Sequence, residues 1–142
     1  MQLLDSTLRE GEQTPGVSFS VDEKIEIAEL LDEFGIDIIE VGHPVVSDDV
    51  REACKIISQK GLNAEILGHS RALKEDIDVV KDVGADWIGI FLGTSDLSLK
   101  HKFHINHEKA LNMIEEAVAY AKDLGLKVRF TPEDATRTEW SY

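Results

Sequence analysis

The chain has 142 residues, 42% of them hydrophobic and 30% charged, with a formal net charge of −13, the composition of one globular domain with its own core. So acidic a surface repels nucleic acid and anionic membranes, and no stretch approaches the roughly 18 apolar residues of a membrane span. The N-terminus Met1-Gln2-Leu3-Leu4-Asp5 has neither the basic region nor the apolar run of a signal peptide. The single cysteine, Cys54, cannot close an internal disulfide, and together these features point to the cytoplasm.

Gln2–Asp5 predicts a first strand. Ser20-Val21-Asp22-Glu23 has the form of a capping box opening a helix, in which serine and a glutamate three residues on satisfy each other's free amides. Ile25, Ala28, Leu31 and Phe34 then recur at helical spacing, Gly35 ends the helix, and Ile36–Val41 is a β-branched strand. The same phrase returns: Gly61 then Ala64–Leu67, Gly84 then Trp87–Leu92, Gly125 then Lys127–Phe130. Glycine after a helix supplies the left-handed turn back. Continuous apolar runs suit parallel strands buried on both faces. Leu111, Ile114, Ala117, Val118 and Ala121 form the core stripe of the last helix, and Cys54 sits beside Ile56 and Ile57 on an earlier one. Five strands with four intervening helices leave an open doubly wound sheet or a (β/α)8 barrel. Every strand ends in polar residues, which favours a barrel because an open sheet gathers its site at one crevice. The expected fold is therefore α/β, the N-terminal five strands of a (β/α)8 TIM barrel, incomplete in this chain and filling residues 1–142 as a partial catalytic domain.

Leu4-Asp5-Ser6-Thr7-Leu8-Arg9-Glu10-Gly11-Glu12-Gln13 resembles the first-strand D-(S/T)-x-L-R-(D/E)-G-x-Q signature of the metal-dependent aldol and Claisen enzymes. These include the homocitrate, isopropylmalate and citramalate synthases and hydroxymethylglutaryl-CoA lyase. Ile39-Glu40-Val41-Gly42-His43-Pro44 and Glu133-Asp134-Ala135-Thr136-Arg137-Thr138 are similar to second- and fifth-strand motifs of the synthases. The resemblance thus runs the length of the chain, and it is nearest to the homocitrate synthases. It implies condensation of acetyl-CoA with a 2-oxo acid, with a divalent metal (Mg, Mn or Zn) as Lewis acid.

By the same resemblance, Glu10 matches the carboxylate metal ligand, and Arg9 the catalytic arginine that stabilises an enolate oxygen. Gln13, His69, Arg129 and Thr131 match substrate contacts, and Glu133 is a catalytic carboxylate. Arginine at 129 implies 2-oxoglutarate, since a guanidinium forks onto a distal carboxylate. The family's remaining metal ligands form a His-x-His pair, which this sequence lacks; its histidines are His43, His69, His101, His104 and His107.

Plainer readings stand beside these. Arg9 and Glu10 are also ordinary loop charges, and Arg129 also suits an internal ion pair with Glu40 or Glu133. His69 suits a hydrogen-bonded loop position, and Glu40 a support for Arg9. Thr131-Pro132-Glu133-Asp134 has the make-up of a helix start. His101, His104 and His107 lie in a polar segment expected to be a mobile loop over the site, with Lys100 and Lys102 facing anionic substrate. Expected partners are the 2-oxo acid, acetyl-CoA and a second copy forming a dimer, with no nucleic acid and no membrane. The alternatives are isopropylmalate or citramalate synthase, a lyase running the cleavage, and an inactive fragment that serves only as an assembly unit.

Overall fold

The structure, a computed structural model, describes residues 1–140. Five strands pair in parallel in the unbroken order of the chain: β1 (Leu4–Asp5), β2 (Ile38–Gly42), β3 (Glu65–Arg71), β4 (Trp87–Gly93) and β5 (Lys127–Glu133). The crossovers are made by α1 (Val21–Phe34), α2 (Asp48–Gln59), α3 (Lys74–Asp82), the short α4 (Asp96–Ser98), which runs into a π-helical turn at Leu99–Phe103, and α5 (His107–Asp123). An order that never reverses has no switch point of the doubly wound kind. It describes the arc of a barrel, as expected from the polar strand ends. Among the described residues no helix is long and apolar enough to cross a membrane.

Local chemistry sets the elements. Ser20 Oγ accepts from Glu23 N while Glu23 accepts from Ser20 N at 2.7 Å, completing the capping box of α1. Gly35 follows in the left-handed conformation at φ 93°. Boundaries move by a few residues. The first strand is only Leu4–Asp5, and the third runs on to Arg71, so His69 is a strand residue rather than a loop one. The helix start expected at Thr131–Asp134 is not formed: β5 continues through Glu133, and Asp134 turns left-handed at φ 65° into a 3-10 turn at Ala135–Arg137. Pro132 lies within this strand, in register with Leu92 of β4.

The core lies between the sheet and the helices. Ile39, Val41, Ile66, Ile88 and Ile90 meet Ala28, Cys54, Ile57, Ile77, Val80 and Ala117, all buried. Burial pushes the Cys54 thiol up to about 12, so it is an inert core group. Alternate strand positions face the other way, where Glu40, Leu67, His69, Gly89, Arg129, Thr131 and Glu133 lie. Outside β5, a groove of about 470 Å³ is lined by Leu111, Ile114, Phe130, Pro132 and Trp140.

The loop after β1 is fastened to α1 by a buried ion pair. Lys24, only 1% exposed, reaches Glu12, whose other oxygen accepts from Phe19 N at 3.1 Å. Removing one partner leaves a buried charge uncompensated, so Lys24→Ala is expected to cost about 3 kcal/mol. A urea-unfolding midpoint equal to that of the parent protein contradicts this account.

Candidate active site

The site grows from one buried carboxylate. Val41 is an extra residue in β2, since Glu40 pairs with Leu67 and Gly42 already pairs with Gly68. Such a bulge re-aims the chain. Gly42 sits at φ 136°, where a Cβ would meet Val50 at 3.0 Å. Glu40 is fully buried and draws in partners from three other strand regions. Ser6 Oγ donates to Oε2 at 2.6 Å, Arg9 Nη2 donates to Oε2 at 3.1 Å, and Arg129 Nη2 donates to Oε1 at 2.8 Å. His69 Nδ1 stands 3.1 Å from Oε1 without the alignment of a hydrogen bond. Burial alone pushes this carboxyl up. His69, Ser6, Arg129 and Arg9 together outweigh burial and hold it well below the usual carboxylate range.

Above Glu40 opens a cavity of about 410 Å³ lined by Arg9, Glu10, Gln13, His69, Thr131 and Glu133, together with His43 and Phe91. Six of the seven residues singled out in the sequence therefore share one cavity at the C-terminal ends of the strands. The seventh, Arg129, lies beside it, joined to Glu40. Its expected internal pair with Glu40 is formed; Glu133 instead accepts from Lys102 Nζ at 3.0 Å. Arg9 also pairs with Glu10, whose side chain is 62% exposed. The Nε donors of Arg9 and Arg129 are buried with no acceptor among the described residues.

Three contributors carried no assigned role in the sequence. Phe91 stacks on His69 at 4.6 Å with rings 5° apart, and it reads as an ordinary apolar strand residue. Ser6 is a small polar residue inside a motif. His43 meets His69 edge-on at 5.7 Å, and its place immediately after Gly42 was the one available signal. Burial, and then the neighbouring His69, lower the His43 pKa, which keeps its ring neutral near pH 7. Asp76 Oδ2 lies 3.5 Å from His43 Nε2 without the alignment of a hydrogen bond, and Arg71 holds that carboxylate at 2.6 and 2.8 Å.

The polar segment after β4 is helical rather than a plain loop. Lys102 reaches the cavity through Glu133, while Lys100, His101 and His104 are exposed and His107 pairs with Asp96 at 2.9 Å. Among the described residues no three His, Cys, Asp or Glu side chains converge to hold a metal ion.

The HMGL-like family pattern matches residues 1–142. The chain belongs to the HMGL-like family. Within it, the chain is 58% identical to a homocitrate synthase of Pyrococcus abyssi over 98% of its own length and 38% of that protein's. It is 53% identical to a homocitrate synthase of Sulfurisphaera tokodaii over 99% of its length and 31% of that protein's. The chain thus spans about a third of the length of these HMGL-like relatives. The crystal structure of an HMG-CoA lyase from Brucella melitensis shares the fold, with a TM-score of 0.75 at 18% identity, covering 94% of this chain and 51% of that one.

A carboxyl held below its unfolded pKa of about 4.3 contributes stability that is fully present above that value and is lost as pH falls toward the folded one. Glu40→Gln abolishes this titration, leaves Arg129 without a counter-charge and leaves Arg9 to the exposed Glu10 alone, at a cost of about 3 kcal/mol near pH 7. The gap between parent and variant in urea-unfolding stability is expected to narrow below about pH 4. A gap independent of pH contradicts the shared-carboxylate account.

Proposed function

We propose that the protein is an acetyl-CoA:2-oxoglutarate C-acetyltransferase, a homocitrate synthase, to which this chain contributes the first five strands of the barrel. The observation that carries the reading is the pairing of Arg9 and Arg129 on the two oxygens of Glu40 beside a cavity that Gln13, His69, Thr131 and Glu133 also line. Identity of 58% and 53% to two homocitrate synthases supports the choice of reaction.

In this reading, the acetyl methyl of acetyl-CoA loses a proton and its carbon attacks the ketone of the 2-oxo acid. Water then cleaves the thioester, giving homocitrate and free CoA. Arg9, fixed by Glu40 and Glu10, presents a permanent charge to the enolate oxygen as it develops, a preorganised stabilisation that costs no reorganisation at the moment of reaction. Arg129 takes the distal carboxylate through the donors Glu40 leaves unused, and bidentate geometry makes that recognition selective. Thr131 and Gln13 add hydrogen bonds to the oxo acid. His69 offers Nε2, because Nδ1 faces Glu40. Glu133, one of two carboxylates lining the cavity, serves proton transfer, and Lys102 Nζ donates to it.

The reading includes a divalent cation, Mg, Mn or Zn, which when bound polarises the ketone. Among the described residues only Glu10 stands where a ligand is expected, and a single exposed carboxylate paired to Arg9 does not by itself hold a hard cation.

A second reading has one observation in its favour. Glu40 already compensates Arg129, which suits an oxo acid without a second carboxylate, as in an isopropylmalate or citramalate synthase. The two are separated by assaying the full-length metal-loaded enzyme with 2-oxoglutarate and 2-oxoisovalerate. Arg129→Ala is expected to lower the kcat/KM ratio for the two acids at least about tenfold, equivalent to roughly 1.4 kcal/mol. Arg9→Ala is expected to lower kcat about 100-fold. An unchanged preference in Arg129→Ala overturns the 2-oxoglutarate assignment.

A further inference from the structure

Arg129 and Glu40 stand on strands separated by two others, β3 and β4. Neighbouring strands lie about 4.8 Å apart, so the guanidinium must pass in front of β4 to reach its carboxylate. At the level where it passes, the register sets His69 of β3, Gly89 of β4 and Arg129 of β5 side by side. Gly89 brings no side chain to that face. A Cβ placed there would lie 3.0 Å from Leu67 Cδ2, 3.1 Å from Arg129 Nη2 and 3.3 Å from His69 Nδ1, all inside the 3.5–4.0 Å at which non-bonded heavy atoms are comfortable. Gly89 is not among the residues with positive φ, so its backbone conformation does not itself require glycine. The demand for glycine comes from the side chains crossing above it.

We propose that Gly89 is a positioning residue for Arg129: its missing side chain is the passage through which the guanidinium crosses β4 to share Glu40 with Arg9. A methyl group there displaces the guanidinium by a few tenths of an ångström, weakens its bond to Glu40 relative to those from Ser6 and Arg9, and moves the charge that faces the cavity. The crossing stands on geometry alone. Its consequence for substrate choice rests on the homocitrate synthase reading, in which Arg129 selects the distal carboxylate.

The test uses the 142-residue chain in a Leu67→Val background, which shortens the nearest apolar neighbour and leaves the cationic one in place. Gly89→Ala is expected to lower the urea-unfolding midpoint while Arg129 is present. Combined with Arg129→Ala, it is expected to leave the midpoint unchanged or raise it, because the methyl then has room and alanine restricts the unfolded chain. In parallel, the Arg129 guanidinium NMR resonances are expected to shift in Gly89→Ala in the same direction as in Glu40→Gln. Equal losses in both Arg129 backgrounds, failure of both variants to fold, or unmoved Arg129 resonances overturn the proposal. Folding of the Arg129→Ala combination alone supports it. Loss of oxo-acid preference in the enzyme assay leaves this pattern untouched, so failure of the crossing and failure of the functional reading are told apart.

Discussion

The burial of one ionised carboxylate governs the inner face of this sheet. A charge taken out of water is tolerated only when it is paired and hydrogen-bonded, and Glu40 has no exposure at all. Its partners are therefore not free to point elsewhere. Ser6 and Arg9 from the region of β1, His69 from β3 and Arg129 from β5 are all drawn to two oxygens. The same contact that solves a desolvation problem also fixes both guanidiniums beside the cavity. It sets two partly buried guanidiniums among the carboxylates of Glu40, Glu10 and Glu133, inside a protein whose formal charge is −13. In the proposed reading, an anionic oxo acid arriving against that global field is drawn by these two guanidiniums.

The two faces of the strands divide the labour. Outward residues such as Ile88 and Ile90 are apolar and pack on the helices, and the absence of a side chain at Gly68 lets Val80 of α3 approach within 2.9 Å of where its Cβ would be. Inward positions mix polar residues, the bare Gly89 and two apolar side chains. Continuous apolar strands in the sequence conceal this alternation, because Leu67 and Phe91 also face inward. Phe91 earns its place by stacking on His69, which holds the imidazole flat against the cavity wall.

Much of the site was legible in the sequence, and the reason differs from residue to residue. Arg9, Glu10 and Gln13 stood out because they lie within a single continuous motif, and the capping box and Gly35 announced α1 because caps are local interactions. Thr131–Asp134 was ambiguous because threonine, proline and two acids suit a helix start as well as they suit the end of an edge strand. Pairing of Pro132 and Glu133 with Leu92 and Gly93 of β4 settled it for the strand. His43 and Phe91 were not legible because their contribution is the ring packed against His69 rather than a pattern of their own.

The sequence by itself determined the succession of strands and helices, since each depends on neighbours a few residues away, and it pointed to the parallel arc they build. Only the tertiary structure decided that Arg129 is joined to Glu40 rather than to Glu133, and that Gly89 leaves room for the crossing. The partners of Glu40 lie 34, 31 and 89 residues away along the chain. At such separations, which pair forms is decided by the curvature of the sheet and the register of its strands, which no local pattern records.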